Sequence, residues 1–355
     1  MLSKPDLSDA LIASRLRDGF GITPSRIDFL PLGNDTAAFV YRVQAGDGRA
    51  YFLKARKSRL DLASALVPHF LYNHSVPQAV APIPTRTGGF FETATGQTVD
   101  FTLTVYPYID ARDAMTVGMT DAQWRAYGSI VRAIHDTALP QTVRTQVPVE
   151  TFELDRFWPG TMSELNARID AGEFRGTPLA VCADLWQERH PEYDAILRRT
   201  QALGRLLQAS QAPYVLCHAD IHTANILIDA QGALHVVDWD QPVFAPKERD
   251  LMFVYGTGAG AGLTVTPHQH TLFMHGYGAA DADIDWLALA YYRYLWVVQD
   301  VGDYAFRALL MDDATIGAEA RAAAVRELPK LFAPGHIVDA AYRADEAWQS
   351  TQTQS

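Results

Sequence analysis

A chain of 355 residues with 48% hydrophobic content exceeds one small core and suits two domains of a globular protein. Its formal net charge of −11 is uneven: residues 1–110 carry 11 basic and 10 acidic side chains, and residues 111–355 carry 19 and 31, a net of −12. That acidity argues against nucleic acid as a partner and suits either a cationic ligand or plain solubility. Two cysteines, Cys182 and Cys217, make no disulfide framework or zinc spacing and fit a reducing cytoplasm. Met1–Asp6 shows no apolar leader. No oligomeric state is written in the composition.

In chain order, Leu11–Phe20 is expected as a short amphipathic helix. Ile27–Leu30, Ala37–Val43 and Ala50–Ala55 read as strands, separated by turns at Gly33-Asn34-Asp35 and Gly46-Asp47-Gly48. Phe90–Glu92 and Asp100–Tyr106 add two more, giving a five-stranded antiparallel sheet. Thr120-Asp121-Ala122-Gln123 is a capping box that opens a helix to about His135. Beyond His135 the chain reads mostly as helix. Trp286–Val298 is the most apolar helix; Arg293 interrupts it and Asp285 and Asp300 flank it, so burial is expected and a membrane span is not.

The exception in the second half is Cys217-His218-Ala219-Asp220-Ile221-His222-Thr223-Ala224-Asn225, which has the spacing H-x-D-x-x-x-x-N. Asn225-Ile226-Leu227-Ile228 and Leu234-His235-Val236-Val237 are β-rich, and Asp229-Ala230-Gln231-Gly232 between them has turn chemistry. Asn225 therefore opens one strand of a hairpin and Asp238, thirteen residues on, closes the other. Phosphoryl transfer from ATP needs a carboxylate to orient the attacking hydroxyl, and an Asn and an Asp to hold Mg²⁺ on the phosphates. Asp220, Asn225 and Asp238 supply that set; the competing reading is a polar turn between core strands. Lys54, inside the apolar run Tyr51-Phe52-Leu53-Lys54-Ala55, needs an anionic partner, and ATP phosphates would serve; otherwise it faces water on an edge strand. Gly33, Asn34, Asp35 and Thr36 form a weak candidate lid over the phosphates. Gly256–Gly262 lacks βαβ context and reads as a loop, and His268, His270 and His275 read as surface residues.

These stretches, with Val237-Asp238-Trp239-Asp240-Gln241-Pro242 and Ala245-Pro246-Lys247-Glu248-Arg249-Asp250-Leu251-Met252, resemble the aminoglycoside phosphotransferase family, most nearly its spectinomycin phosphotransferase branch. Leu103–Ile109 resembles the linker between lobes in that branch. The resemblance implies an α+β, protein-kinase-like fold: residues 1–105 a β-sheet lobe, 106–110 a linker, 111–355 a mainly helical lobe. It implies an ATP-dependent O-phosphotransferase acting on a small cationic, hydroxylated aminocyclitol. A metabolic kinase of choline, homoserine or a sugar, or a silent nucleotide-binding module, are the alternatives. By the resemblance, Tyr106, Tyr108 and Ile109 contact adenine, Asp250 and His218 support the loop, and Asp61 pairs with Lys54, the alternative for Asp61 being a helix N-terminal acid that complements the dipole. Asp250 is also placed to cap a helix. Trp239, Asp240, Tyr294, Asp300 and Asp303 are the candidate acceptor-binding residues, the last two as helix-end carboxylates.

Overall fold

The computed structural model describes residues 4–31, 37–57, 61–96, 99–155, 157–210, 212–255, 264–280 and 283–353. The chain forms two compact units, Met1–Pro148 with His218–Val243, and Val149–Cys217 with Phe244–Ser355.

The first unit opens with α1 (Asp9–Arg15), which begins at Ser8, whose hydroxyl accepts from the Leu11 amide. It widens into a π turn over Leu16–Phe20 and stops at Gly21, whose φ of 71° suits glycine. The single helix expected over Leu11–Phe20 thus changes its winding at Leu16, which is fully buried in the core with Ile12. Strands β1 (Pro24–Leu30), β2 (Ala38–Ala45), β3 (Ala50–Arg56), β4 (Glu92–Thr95) and β5 (Asp100–Pro107) form an antiparallel sheet in the order β1-β2-β3-β5-β4. Helix α2 (Ala63–His74) lies between β3 and β4 in the chain. The expected strand at Phe90–Glu92 begins at its last residue instead: the Phe90 ring is buried against His69 of α2, centroids 5.0 Å apart.

Alternation along β3 divides the sheet into two faces. Tyr51, Leu53 and Ala55 point into the core with Tyr41, Val43, Leu103 and Val105. Phe52, Lys54 and Arg56 take the other face, with Tyr106 opposite Phe52 and Thr104 opposite Lys54.

After β5 come β6 (Ala111–Asp113), α3 (Ala114–Val117), α4 (Asp121–His135) and α5 (Gln141–Arg144). The Thr120 capping box is formed: its hydroxyl accepts from the Gln123 amide and the Gln123 carboxamide accepts from the Thr120 amide. Helix α4 buries Trp124, Tyr127, Ile130, Val131 and Ile134.

The chain then enters the second unit as α6 (Phe157–Asp170), α7 (Ala180–Gln208) and β7 (Val215–Cys217). It returns to the first unit for the predicted hairpin, β8 (Ile226–Asp229) and β9 (Leu234–Val236). Asp229 Oδ1 accepts from the Gln231 and Ala233 amides, both 2.9 Å, and Gly232 takes φ 82° to close the turn. Strand β6 pairs with β8. The Val236 backbone is held on its other side by Gln78 and Val80 at 2.8 and 2.9 Å. The hairpin is therefore clamped on both edges, which fixes what hangs from its ends.

The chain passes into the second unit within β10 (Val243–Ala245) and continues as α8 (Glu248–Leu251), α9 (Pro267–Tyr277), α10 (Trp286–Ala305), α11 (Asp313–Ile316), α12 (Ala318–Leu331) and α13 (Ile337–Thr353). Helix α10 is buried on nearly every side, as its composition demands, and it runs beyond Val298 to Ala305. Arg293 within it is buried and donates to the Tyr255 carbonyl. Among the described residues no helix is long and apolar enough to cross a membrane.

One contact ties α4 to the hairpin. The buried Tyr127 hydroxyl donates to the carbonyl of Ile221, itself fully buried. Tyr127→Phe removes the donor from a buried carbonyl, so unfolding free energy should fall by about 1–3 kcal/mol. A urea midpoint equal to that of the wild type would show that the contact contributes nothing.

Candidate active site

The loop His218–Asn225 is held by its own side chains. The His218 ring is fully buried; Nδ1 accepts from the Asp220 amide at 3.2 Å and Nε2 lies 3.0 Å from the Val237 carbonyl. An imidazole that accepts at Nδ1 donates at Nε2, so His218 links the loop to the strand end before Asp238. Its ring packs on Trp239, centroids 4.4 Å apart. Ala219, between His218 and Asp220, takes φ 72°. For a residue with a Cβ that left-handed conformation costs about 1–2 kcal/mol, and the surrounding bonds hold it there.

The bend brings Asp220 back toward Asn225. The Asn225 Nδ2 donates to the Asp220 carbonyl at 2.7 Å and to its carboxylate Oδ2 at 3.1 Å. With Nδ2 turned to Asp220, Asn225 Oδ1 points away. His222 approaches the other carboxylate oxygen: its Nδ1 accepts from the Ala224 amide at 3.2 Å, and its Nε2 lies 3.4 Å from Asp220 Oδ1. The neutral ring then carries its proton on Nε2, facing Asp220. Burial lowers the His222 imidazole below its usual value, with the Asp220 charge opposing that in part.

Asp238 follows β9 and is likewise left-handed, with φ 64°. The Val237 amide donates to the Asn225 carbonyl at 3.0 Å, so the metal-binding candidates are backbone neighbours across the hairpin. Lys54 Nζ lies 2.7 Å from Asp238 Oδ1 and 2.7 Å from Asp240 Oδ2. Arg56 meets the same Asp240 oxygen. Desolvation alone would lower Lys54 and raise Asp238; each outweighs that for the other, so the ammonium is held above and the carboxyl below its usual range. Burial raises the Tyr106 phenol, whose ring stands edge-on to Phe52 on this face at 6.4 Å.

The structure redistributes several expected residues. Asp61 accepts from the Ala63 amide at 3.3 Å near the start of α2, while the carboxylates on Lys54 come from Asp238 and Asp240. At seven residues' separation Asp61 belongs to the next element, and α2 contains no acid to replace it. Trp239 is buried, with Nε1 donating to the Val236 carbonyl at 3.1 Å. Asp240 is engaged by two cations. Tyr294 is buried on α10, its hydroxyl donating to Asp345 at 3.1 Å beside Arg199. Asp300 and Asp303 lie within α10 rather than at its end, because the helix continues to Ala305; Asp303 pairs with Arg307 at 2.7 Å. Asp250 is the third residue of α8, not its cap, since Lys247 precedes that helix. It is buried near Cys217, whose thiol is raised by burial first and by the Asp250 charge next. The Tyr108 amide donates to Ala50 at 3.2 Å and its ring lies under Arg42; Ile109 comes next, half-buried. Gly33, Asn34, Asp35 and Thr36, and the Gly256–Gly262 loop, lie outside the described residues. Of the three histidines on α9, His268 and His275 are exposed, and His270 stands edge-on to Tyr255 at 4.4 Å.

Two residues of the site went unread in the sequence. Arg56 had a signal, because a residue two beyond Lys54 on a strand shares its face. His222 had only its proximity to Asp220.

The whole chain was also compared with known proteins. The model of the phosphotransferase enzyme family matches residues 28–292. A spectinomycin phosphotransferase solved with ADP and spectinomycin is similar at TM-score 0.81 and 26% identity, over 96% of this chain and 99% of that one. The AMP-bound form of a spectinomycin phosphotransferase gives 0.72 and 25%, over 94% and 98%. An amicoumacin kinase with AMP-PNP and Ca²⁺ shares the fold at 0.57 and 17%, over 92% and 95%. No curated protein matches by sequence.

The half-buried, neutral His222 has a pH signature. Above its ordinary value of 6.5, folded and unfolded chains carry the same uncharged ring. As pH falls below that value the unfolded chain takes up the proton first, and the folded state loses relative stability. The wild type should therefore lose more stability than His222→Gln between about pH 7.5 and about pH 5.5 in urea melts. Equal losses would show that the ring titrates alike in both states.

Proposed function

The chain belongs to the phosphotransferase enzyme family, and on that premise we propose that it moves the γ-phosphoryl group of ATP to a hydroxyl of a small cationic aminocyclitol, with spectinomycin the first candidate. The observation that supports the chemistry best is Asp220, whose two carboxylate oxygens are approached by Asn225 and His222 in a loop hydrogen-bonded to the strand end before Asp238. A carboxylate so oriented suits acceptance of a hydroxyl proton. In this reading the acceptor oxygen bonds to the γ-phosphorus as the β–γ bridge breaks, ADP leaves, and the proton passes to Asp220.

Asn225 Oδ1 and the Asp238 carboxylate are hard oxygen donors, the kind that suits Mg²⁺. Bound there, Mg²⁺ would neutralise charge on the nucleotide phosphates. Lys54 would add a second positive charge at the phosphates. Tyr106, Tyr108 and Ile109, at the end of β5 and just beyond, would border the adenine. Gly33 to Thr36 remain the candidate lid and Asp250 a support beneath β7. We place the enzyme in the cytoplasm, where ATP is plentiful and both buried thiols stay reduced.

The acceptor assignment draws on the likeness to the spectinomycin-bound phosphotransferase over nearly the full length of both chains. The net charge of −12 over residues 111–355 is complementary to an aminocyclitol bearing protonated amines. Of the proposed acceptor residues, Asp300 and Asp303 remain as carboxylates of the second unit.

ADP release should be stimulated by spectinomycin and not by neutral sugars. An enzyme that ignores spectinomycin and phosphorylates choline or homoserine would assign it to metabolism. Asp220→Asn should lower kcat about 10²–10⁴-fold with nucleotide affinity nearly unchanged. Near-normal turnover in that variant would remove Asp220 from the reaction.

A further inference from the structure

Lys54 has an unusual setting for a phosphate-binding lysine. The helix after its strand, α2, reads Ala-Ser-Ala-Leu-Val-Pro-His-Phe-Leu-Tyr-Asn-His and offers no carboxylate. Asp238, one of its two partners, is required elsewhere if it holds a cation on the nucleotide. A carboxylate shared with a divalent ion cannot hold the ammonium with full strength. Asp240 carries no such second duty. It lies two residues beyond Asp238, and its Oδ2 takes Lys54 Nζ at 2.7 Å. The same oxygen takes the guanidinium of Arg56.

Lys54 and Arg56 alternate along β3 and so project from one face of the sheet. Their side chains are only 12% and 17% exposed, and that of Asp240 23%. Two cations converging on one half-buried oxygen would repel each other without it. With it, the trio keeps one net positive charge, directed at whatever anion occupies the face. Arginine also offers a planar fork suited to phosphate oxygens.

We propose that Asp240 is the positioning residue that holds Lys54 toward the nucleotide phosphates, and that Arg56, fixed by the same carboxylate, is a second phosphate-binding cation. This rests on the reading of the site as a nucleotide site. It moves Asp240 from the acceptor to the nucleotide and gives Lys54 the acid that α2 lacks.

The test is calorimetric binding of AMP-PNP and of adenosine, with Mg²⁺ and no acceptor. The proteins are the wild type, Lys54→Met, Asp240→Asn, Arg56→Ala, Arg56→Lys and the double variant Lys54→Met/Asp240→Asn, each checked for folding by circular dichroism. Asp240→Asn and Arg56→Ala should each weaken AMP-PNP about tenfold, a loss of about 1.4 kcal/mol, and leave adenosine unchanged. Arg56→Lys should recover part of that loss. The double variant should bind AMP-PNP worse than Lys54→Met alone, but by clearly less than the tenfold lost in Asp240→Asn, because Asp240 acts in part through the lysine and in part through Arg56. Additive losses, or an Asp240→Asn that weakens spectinomycin and spares AMP-PNP, would overturn the inference. A wild type that binds no AMP-PNP would instead overturn the nucleotide-site reading beneath it.

Discussion

The ammonium of Lys54 sits between two carboxylates, Asp238 and Asp240, at 2.7 Å from each. It joins the sheet of the first unit to the strand end beyond β9. The rest of the site is organised around that junction. An ammonium this little exposed is stable only with anionic partners. The site therefore carries its own counter-ions. Arg56 adds a second cation to the same carboxylate, so two cations and two carboxylates form an electrically balanced cluster.

Backbone strain sits on either side of that junction. Ala219 and Asp238 both hold left-handed φ values, and both lie beside functional candidates. Each bend aims a side chain: the first turns Asp220 back to Asn225, and the second directs Asp238 to Lys54. His218 spans the two bends, with one ring nitrogen on the Asp220 amide and the other on the Val237 carbonyl. A buried imidazole with both nitrogens used is a rigid spacer, and this one sets the separation of the two strained residues. Tyr127 and the clamped edges of the hairpin supply the restoring contacts. The cost of the strain is met by this network, a pattern typical of sites that must be organised before ligand binds.

The sequence by itself determined whatever depends on local rules. Alternation set the faces of β2, β3 and β5, turn chemistry set the Asp229–Gly232 hairpin, and the Thr120 capping box set the start of α4. The spacing of Asp220, Asn225 and Asp238 was also local, because one short loop and the hairpin that follows it carry all three. Only tertiary structure could decide which charges meet. Lys54 and Asp240 are 186 residues apart, and Asp61 stood nearer in the chain. Sequence distance carries no information on such a pairing once a sheet and a hairpin come together. Trp239 and Tyr294 were misplaced for a related reason. Aromatic rings with a polar tip serve a cleft and a core equally well in composition, and burial is settled by what packs against them. For these two, that is the His218 ring and the Asp345 carboxylate.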